Sequence, residues 1–292
     1  MNKFYTVLQS CWDWRAAGNF IFGGTGSALM LMIAIASFPE TPPLALGLTA
    51  LAFIGMGLFL VWLEIGKPWR FIHTYFHPQT SWMTREASAA ILLFPVAFVG
   101  IVFKIPAMIT LAGFLGLLFL YCQARILLAS KGIPAWREPT ILSLIISTGL
   151  VEGTSILLLF LLILDAIQGW ALYLLLVLLA VRTQSWNRYL QQLVTTRAPE
   201  QSLQILSSIY TSTLWLGNVL PFILVCASLM LPRLLVILVC TASILAVMSG
   251  WYMKFTIITR AAQQQGYSLG KLKRGRPNIK PPVRRKPDRF VF

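Results

Sequence analysis

The chain has 292 residues, of which 57% are hydrophobic and 11% are charged, and it carries a formal net charge of +15. A mean hydropathy of +0.75 is typical of a protein that crosses a membrane many times, and it excludes an ordinary soluble domain. The long apolar runs do not alternate with polar residues, which excludes a transmembrane β-barrel.

Eight apolar runs are each long enough to cross a bilayer as an α-helix, which takes about 20 residues. The predicted spans are 16–38, 44–64, 84–103, 105–128, 139–163, 166–186, 208–230 and 233–259. They predict an all-α integral membrane protein, an eight-transmembrane-helix bundle over residues 16–260. An N-terminal interfacial segment (1–15) and a basic tail (261–292) flank the bundle.

The basic residues predict the orientation of this bundle. Of the 24 lysines and arginines, only Lys104 and Arg233 fall on one side, and the other 22 lie in the termini and alternate loops. The positive-inside rule places the richer side and both termini in the cytoplasm, which indicates the inner membrane of a bacterium. Since insertion explains most of the charge, we expect no nucleic-acid partner. The basic tail favours anionic membrane lipids or an acidic partner.

The first span contains a run of small residues, Phe22–Ser27 (FGGTGS). Small residues allow helix backbones to approach closely in lipid. The run therefore predicts either tight helix packing or proximity to a ligand.

A belt of polar residues lies between the second and third spans, in Val61–Ala87 (VWLEIGKPWRFIHTYFHPQTSWMTREA). It combines carboxylates, imidazoles, guanidinium groups and indoles at the lipid boundary, an inventory that fits quinone chemistry. A quinone takes up two electrons and two protons, its carbonyls need hydrogen-bond donors, and its isoprenoid tail needs an apolar groove. The structural alternative is a solvated charged loop.

Each candidate residue of the belt has a side chain whose chemistry suits a quinone site. Carboxylates and a histidine with a pKa of about 6.5 can hand on protons, while cations and an indole can bind a headgroup. The expected proton-transfer residues are Glu64, His73 and Glu86. The expected quinone-binding residues are Lys67, Arg70, Trp82, Arg85 and, deeper in the membrane, Glu152.

Glu152 lies near the middle of the fifth span, in the sequence STGLVEGTS. An ionisable residue at this depth costs several kcal/mol unless it is paired, so it is a candidate for a proton relay or for ligand contact. The structural alternative is a hydrogen bond between helices. Arg125, Asp165 and Arg182 lie near predicted span ends, where snorkelling to the interface explains them.

Cofactor motifs are absent from the sequence. The two histidines lie together on one side of the membrane, which does not fit a haem held by two helices. The four cysteines show no metal-site spacing, and no Walker A, dinucleotide or HExxH motif occurs. We therefore expect no haem and no metal in this chain.

Two segments of the belt resemble a known family. LEIGKPWRF (Leu63–Phe71) and TSWMTREA (Thr80–Ala87) are similar to the pattern L-x-L-G-[RK]-P-x-R-[FA]…[TS]-S-[WP]-[ML]-[ST]-x-E. This pattern belongs to the DmsC/NrfD-like quinone-interacting membrane anchors of complex iron–sulfur molybdoenzymes. The matching positions are Gly66, Lys67, Pro68, Arg70, Ser81, Trp82, Arg85 and Glu86, whereas Glu64 stands where DMSO reductase anchors have a histidine.

The resemblance implies an anchor with no cofactor of its own. Such a subunit docks an iron–sulfur subunit, which docks a molybdopterin catalytic subunit, and it exchanges electrons with ubiquinone or menaquinone. Because charge places the motif in the cytoplasm, the resemblance favours the cytoplasm-facing relatives over a DMSO reductase-like complex. These relatives are the sulfite-oxidising complexes and the phenylacetyl-CoA:acceptor oxidoreductases, and sulfite oxidation is the favoured function. The expected docking face comprises loops 65–84, 129–138 and 187–207 with the tail.

Two other functions remain open at this point. A secondary transporter would have its site at the midplane between broken helices, at Glu152 with Gly149 and Gly153. A purely structural anchor would have no quinone site.

Overall fold

A computed structural model describes residues 6–37, 43–65 and 68–264, without the side chains of Pro68, Arg70 and Phe71. Within these residues, eight helices are long and apolar enough to cross a membrane, which confirms the predicted all-α membrane protein. They are α1 (Trp14–Ala36), α2 (Leu44–Glu64), α3 (Trp82–Val102), α4 (Pro106–Ala129), α5 (Ile141–Ile163), α6 (Gly169–Thr195), α7 (Glu200–Met230) and α8 (Pro232–Arg260).

The two ends of the described chain meet at one end of the bundle. Strand β1 (Val7–Leu8) pairs antiparallel with β2 (Gln263–Gln264), and the Gln9 amide donates to the Ile258 carbonyl at 3.3 Å. We call this end of the bundle the terminal face. Because the helices cross in alternate directions, α1, α3, α5 and α7 begin there and α2, α4, α6 and α8 end there. Residues 265–292, most of the predicted basic tail, lie outside the described residues.

Helices α6 and α7 differ most from the prediction. The predicted spans 166–186 and 208–230 end where polar residues begin, but α6 continues to Thr195 and α7 already begins at Glu200. The prediction that residues 187–207 form a loop is therefore wrong. Hydropathy marks only the part of a helix that lies in lipid, whereas the Gln, Leu and Arg residues beyond it are good helix formers.

This extension gives α6 and α7 more length than a bilayer requires. Their 27 and 31 residues measure about 40 Å and 46 Å at 1.5 Å per residue, against a hydrocarbon core of about 30 Å. Since the added turns lie next to Thr195 and Glu200, both helices extend toward the terminal face.

Helices α1 and α5 form the centre of the bundle. In their most apolar stretches 78% and 72% of the residues are buried, compared with 33% in α2, α7 and α8. Close contact between backbones allows this arrangement. A Cβ built on Gly26 of α1 would lie 2.7 Å from the Ala50 carbonyl oxygen of α2, so the packing interpretation of the Phe22–Ser27 run is confirmed at Gly26.

Three of the helices contain a π-helical turn. These turns are Asn19–Gly23 in α1, Trp215–Val219 in α7 and Thr256–Arg260 in α8. Such turns are rare and occur frequently at functional sites. Two of them carry a buried asparagine, Asn19 and Asn218, which are 3% and 1% exposed.

The contact between α1 and α5 gives a first prediction. A methyl group at position 153 would lie 2.6 Å from backbone atoms of Ala28 and Leu29, so Gly153→Ala must push the two central helices apart. We expect a lower thermal unfolding midpoint in detergent and a cost of about 1–3 kcal/mol. Gly132→Ala is the matched control, because a Cβ there meets nothing within 4 Å. Equal midpoints for both variants would contradict the packing.

Candidate functional site

The predicted polar belt forms a 3₁₀-helix, Pro68–Tyr75, and a turn that leads into α3. Side chains of α3 hold this segment in place. The Thr84 hydroxyl donates to the Thr74 carbonyl, and Arg85 donates to the carbonyls of Pro78 and Gln79 at 2.8 Å each. The Arg85 guanidinium therefore binds loop carbonyls rather than a carboxylate.

In the described part of the belt, Trp82, His73 and Glu64 have separate surroundings. Trp82 has the guanidinium carbons of Arg85 and Arg125 at 4.1 Å and 4.4 Å from its ring centroid. His73 is exposed and packs edge-on against Phe76. Glu64 is half-buried at the end of α2. Lys67 and the side chain of Arg70 lie outside the described part of the chain.

A cavity of about 370 Å³ lies between the ends of α2 and α3 at the terminal face. The polar side-chain groups of its lining residues are the hydroxyls of Thr74 and Tyr75 and the indole N–H of Trp62. Phe59 and Trp62 line it while 49% and 38% exposed, so it opens toward the lipid-facing surface. Burial raises the pKa of Tyr75 above its usual value, which keeps the phenol protonated as a hydrogen-bond donor.

Glu86 borders this cavity but points into the bundle. It comes directly before Ala87, which lines the cavity. Successive residues of an α-helix point about 100° apart around the axis, so Glu86 faces another direction. Its side chain is only 5% exposed and accepts a hydrogen bond from Asn19 Nδ2 at 3.0 Å. The Gln123 amide also lies within reach of the Glu86 carboxyl and donates to the Asn19 carbonyl at 2.9 Å.

Glu152 forms an ion pair that the sequence analysis missed. Lys254 Nζ of α8 lies 2.6 Å from Glu152 Oε2, and both side chains are fully buried. The Thr25 hydroxyl of α1 donates to the same oxygen at 2.7 Å. Glu152 Oε1 accepts no hydrogen bond within the described residues, and a Cβ on Gly250 would lie 2.5 Å from it.

The sequence did contain a signal for Lys254. Lys254 falls inside the predicted span 233–259, five residues before its end, although the charge pattern groups it with the basic residues of the terminal side. A cation inside a span, like the acid inside the fifth span, needs a partner in lipid. Each of the two residues therefore indicates a buried partner group.

Arg182 is a second buried cation, and the prediction that it snorkels is wrong. It is 1% exposed and lies 13 residues from either end of α6. Its Nε donates to Asn218 Oδ1 at 2.7 Å and its Nη1 to the Ala246 carbonyl at 2.9 Å, while Nη2 donates to the Gly217 carbonyl. The predicted span was too short, which placed Arg182 falsely near a helix end.

The buried polar groups around Glu86 and Glu152 lie next to one another along the inside of the bundle. A Cβ built on Gly24 would lie 3.0 Å from Lys254 Nζ and 3.1 Å from Gln123 Oε1. Since both distances start from one point, the two atoms are at most about 6 Å apart. We call this series the internal polar track; it comprises Glu86, Asn19, Gln123, Lys254, Glu152 and Thr25.

The chemistry of the track is that of proton binding. It contains two carboxyl groups, one amine, two amides and one hydroxyl, all buried inside the bundle. In the described part of the chain, no group of three or more His, Cys, Asp or Glu residues could hold a metal ion.

Comparison with known proteins does not assign this site. No family model matches the chain, and no curated protein matches it. The resemblance to the DmsC/NrfD-like anchors therefore stays a prediction.

The ion pair gives a second prediction. Glu152→Gln leaves a buried ammonium without a counter-charge and Lys254→Met leaves a buried carboxyl without its donor, so each should cost about 3–5 kcal/mol. The double variant should lose less than the sum of the two, because it removes both partners. Thermal unfolding in detergent measures all three, with the exposed Ser208→Ala as control. Strictly additive losses would show that the two side chains do not interact.

Proposed function

We propose that this chain is the membrane anchor and quinone-exchange subunit of a molybdopterin oxidoreductase that faces the cytoplasm. It passes electrons between a partner iron–sulfur subunit and the quinone pool, while the molybdopterin subunit carries out the substrate reaction. Sulfite is the favoured substrate of that partner. The chain itself supplies the quinone site and the docking face.

The cavity between α2 and α3 carries this proposal. Its volume of about 370 Å³ is in the range of small-molecule sites, which are mostly apolar with a few polar groups. A quinone headgroup fits there with the Tyr75 phenol as donor to one carbonyl. The exposed side chains of Phe59 and Trp62 offer an apolar surface for the isoprenoid tail.

The position of the cavity suits electron exchange with a soluble partner. It lies at the terminal face, beside the 3₁₀-helix that carries Pro68 and Arg70 of the motif, so a cluster docked on this face would be near the headgroup. Glu86 provides a buried carboxyl one residue from the cavity wall. In this role Glu86 gives up one of the two protons needed for quinone reduction, or takes up one of the two released by quinol oxidation.

The orientation follows from charge. With Arg182 and Lys254 buried in the bundle, 20 basic residues of the sequence still belong to the terminal side and two to the opposite side. The positive-inside rule then puts the terminal face and both termini in the cytoplasm of a bacterial cell.

The extended ends of α6 and α7 supply a surface for the partner. Between them lies an open groove of about 770 Å³, with Leu190, Val194 and Leu203 next to Gln191, Glu200 and Tyr210. Such a mixture of apolar and polar side chains suits a protein interface better than lipid headgroups. This groove replaces the predicted loop 187–207 in the proposed docking face.

A secondary transporter is the second candidate, because a buried ion pair in mid-membrane is typical of transport sites. Two observations weigh against it. Helix α5 runs unbroken from Ile141 to Ile163. A Cβ on Gly149 would lie 2.9 Å from the Leu120 side chain, so this glycine serves helix packing rather than a substrate cavity.

The partner is tested by copurification. We expect the tagged chain, solubilised in mild detergent, to retain an iron–sulfur subunit and a molybdenum subunit. A chain that ends at Gly270 should retain less of both subunits at high salt, because contacts of exposed charges are screened. Recovery of the full-length chain alone or as an oligomer would favour the transporter.

The cavity is tested with a filling variant and its matched control. A Cβ on Gly55 meets only the Phe94 ring, at 3.7 Å, so Gly55→Ala fits while Gly55→Phe projects a ring into the cavity. With a quinone analogue we expect Gly55→Phe and Tyr75→Phe to lower turnover at least tenfold, about 1.4 kcal/mol of barrier. With a soluble dye the partner should work normally. Unchanged quinone activity in both variants would refute the placement.

A further inference from the structure

Glu152 and Lys254 do not form the saturated ion pair that a purely structural role requires. A buried pair is stable when further hydrogen bonds satisfy its remaining atoms. Glu152 Oε2 accepts from Lys254 and Thr25, whereas Oε1 accepts nothing from the described residues although it is fully buried. Leaving a buried acceptor unsatisfied is destabilising. A carboxyl in this state is suited to bind a proton.

Two further unsatisfied acceptors lie between Glu152 and the terminal face. Asn19 Oδ1 and Gln123 Oε1 are buried and accept no hydrogen bond within the described chain. Both side chains adjoin Gly23, whose Cβ would lie 3.0 Å from Asn19 Oδ1 and 2.8 Å from Gln123 Nε2. Buried amide oxygens of this kind are sites for ordered water.

Gln123 Oε1 and Lys254 Nζ are close enough for a single water to bridge them. The two atoms are at most about 6 Å apart, which two hydrogen bonds of about 2.8–3.0 Å each can span. Gly24 borders this gap and has no side chain to fill it.

We propose that the internal polar track conducts protons from the terminal face to Glu152 and ends there. A proton taken up by Glu86 passes to water at the amide oxygens of Asn19 and Gln123. Lys254 gives one proton to Glu152 along its hydrogen bond and takes a replacement from that water. Glu152 becomes a neutral acid and Lys254 stays charged, so the pair gains one positive charge; release reverses each transfer.

Arg182 closes the track toward the opposite face. It donates to the carbonyl of Ala246, which lies one helical turn, about 6 Å, beyond Gly250 and hence beyond Glu152. A guanidinium stays charged, and a fixed positive charge in a membrane path repels protons. The charged groups around Glu152 are thus Lys254 on the entry side and Arg182 on the far side.

This inference does not depend on the proposed quinone function. Its test uses the full chain alone in lipid nanodiscs, with neither quinone nor partner. After laser-triggered proton release, time-resolved infrared spectroscopy follows the C=O stretch of protonated Glu152, which is identified by its loss in Glu152→Gln.

Gly24→Ala is the decisive variant, because its methyl group would occupy the gap at 3.0 Å from Lys254 and 3.1 Å from Gln123. We expect protonation of Glu152 to slow at least tenfold while the equilibrium amplitude of the band is retained. Glu86→Gln should also slow the protonation of Glu152. This variant provides the test if Gly24→Ala does not fold. Gly132→Ala should leave the rate unchanged. Wild-type rates in both track variants, or no band lost in Glu152→Gln, would overturn the proposal.

The direction of the track is tested in oriented proteoliposomes. Protons released on the side of the terminal face should produce the Glu152 band, and protons released on the other side should not. A rapid response from the opposite face would overturn the closure at Arg182.

Discussion

The ion pair between Glu152 and Lys254 is the interaction on which the interior of this bundle depends. In lipid, no water is present to solvate an ammonium or a carboxylate, and each alone would cost several kcal/mol. The 2.6 Å contact joins the central helix α5 to α8. Thr25, which donates to the same carboxylate, adds α1. One ionic group thus connects three helices of the bundle.

Glycines make room for these charged groups. Gly24 lies against the Lys254 amine and Gly250 against the Glu152 carboxylate, at distances where a Cβ would collide or displace them. Helices in lipid associate through close packing and hydrogen bonds, since lipid provides no hydrophobic driving force between them. Here the same small residues serve both purposes, because the approach of the backbones also brings the polar side chains into contact.

The sequence predicted those parts of the structure that hydropathy controls. All eight helices were found, and α2 has the predicted bounds, 44–64, because lipid selects apolar residues over the whole length of a span. The ends of α6 and α7 were missed, since helix propensity continues into the polar region where hydropathy stops. Glu152 could be singled out as a lone acid in a span, but Lys254 could not be paired with it, because no sequence spacing relates α5 to α8. Arg182 was misplaced because its helix continues past the predicted end at residue 186, and its acceptors on α7 and α8 depend on tertiary packing.

Helix α3 relates the two polar features of the molecule. Ala87 and Ala90 face the cavity, while Glu86, next to Ala87 in sequence, points between α1 and α4. In the proposed function, electrons reach a headgroup in the cavity from the terminal face, and its protons need a group that is close yet shielded from lipid. Glu86 meets both conditions, because it is one residue from the cavity wall and 5% exposed. The same carboxyl begins the internal polar track. Proton exchange with a bound quinone and proton storage at Glu152 would therefore share one entrance, and the occupancy of Glu152 would respond to the redox state of the headgroup without any direct contact between them.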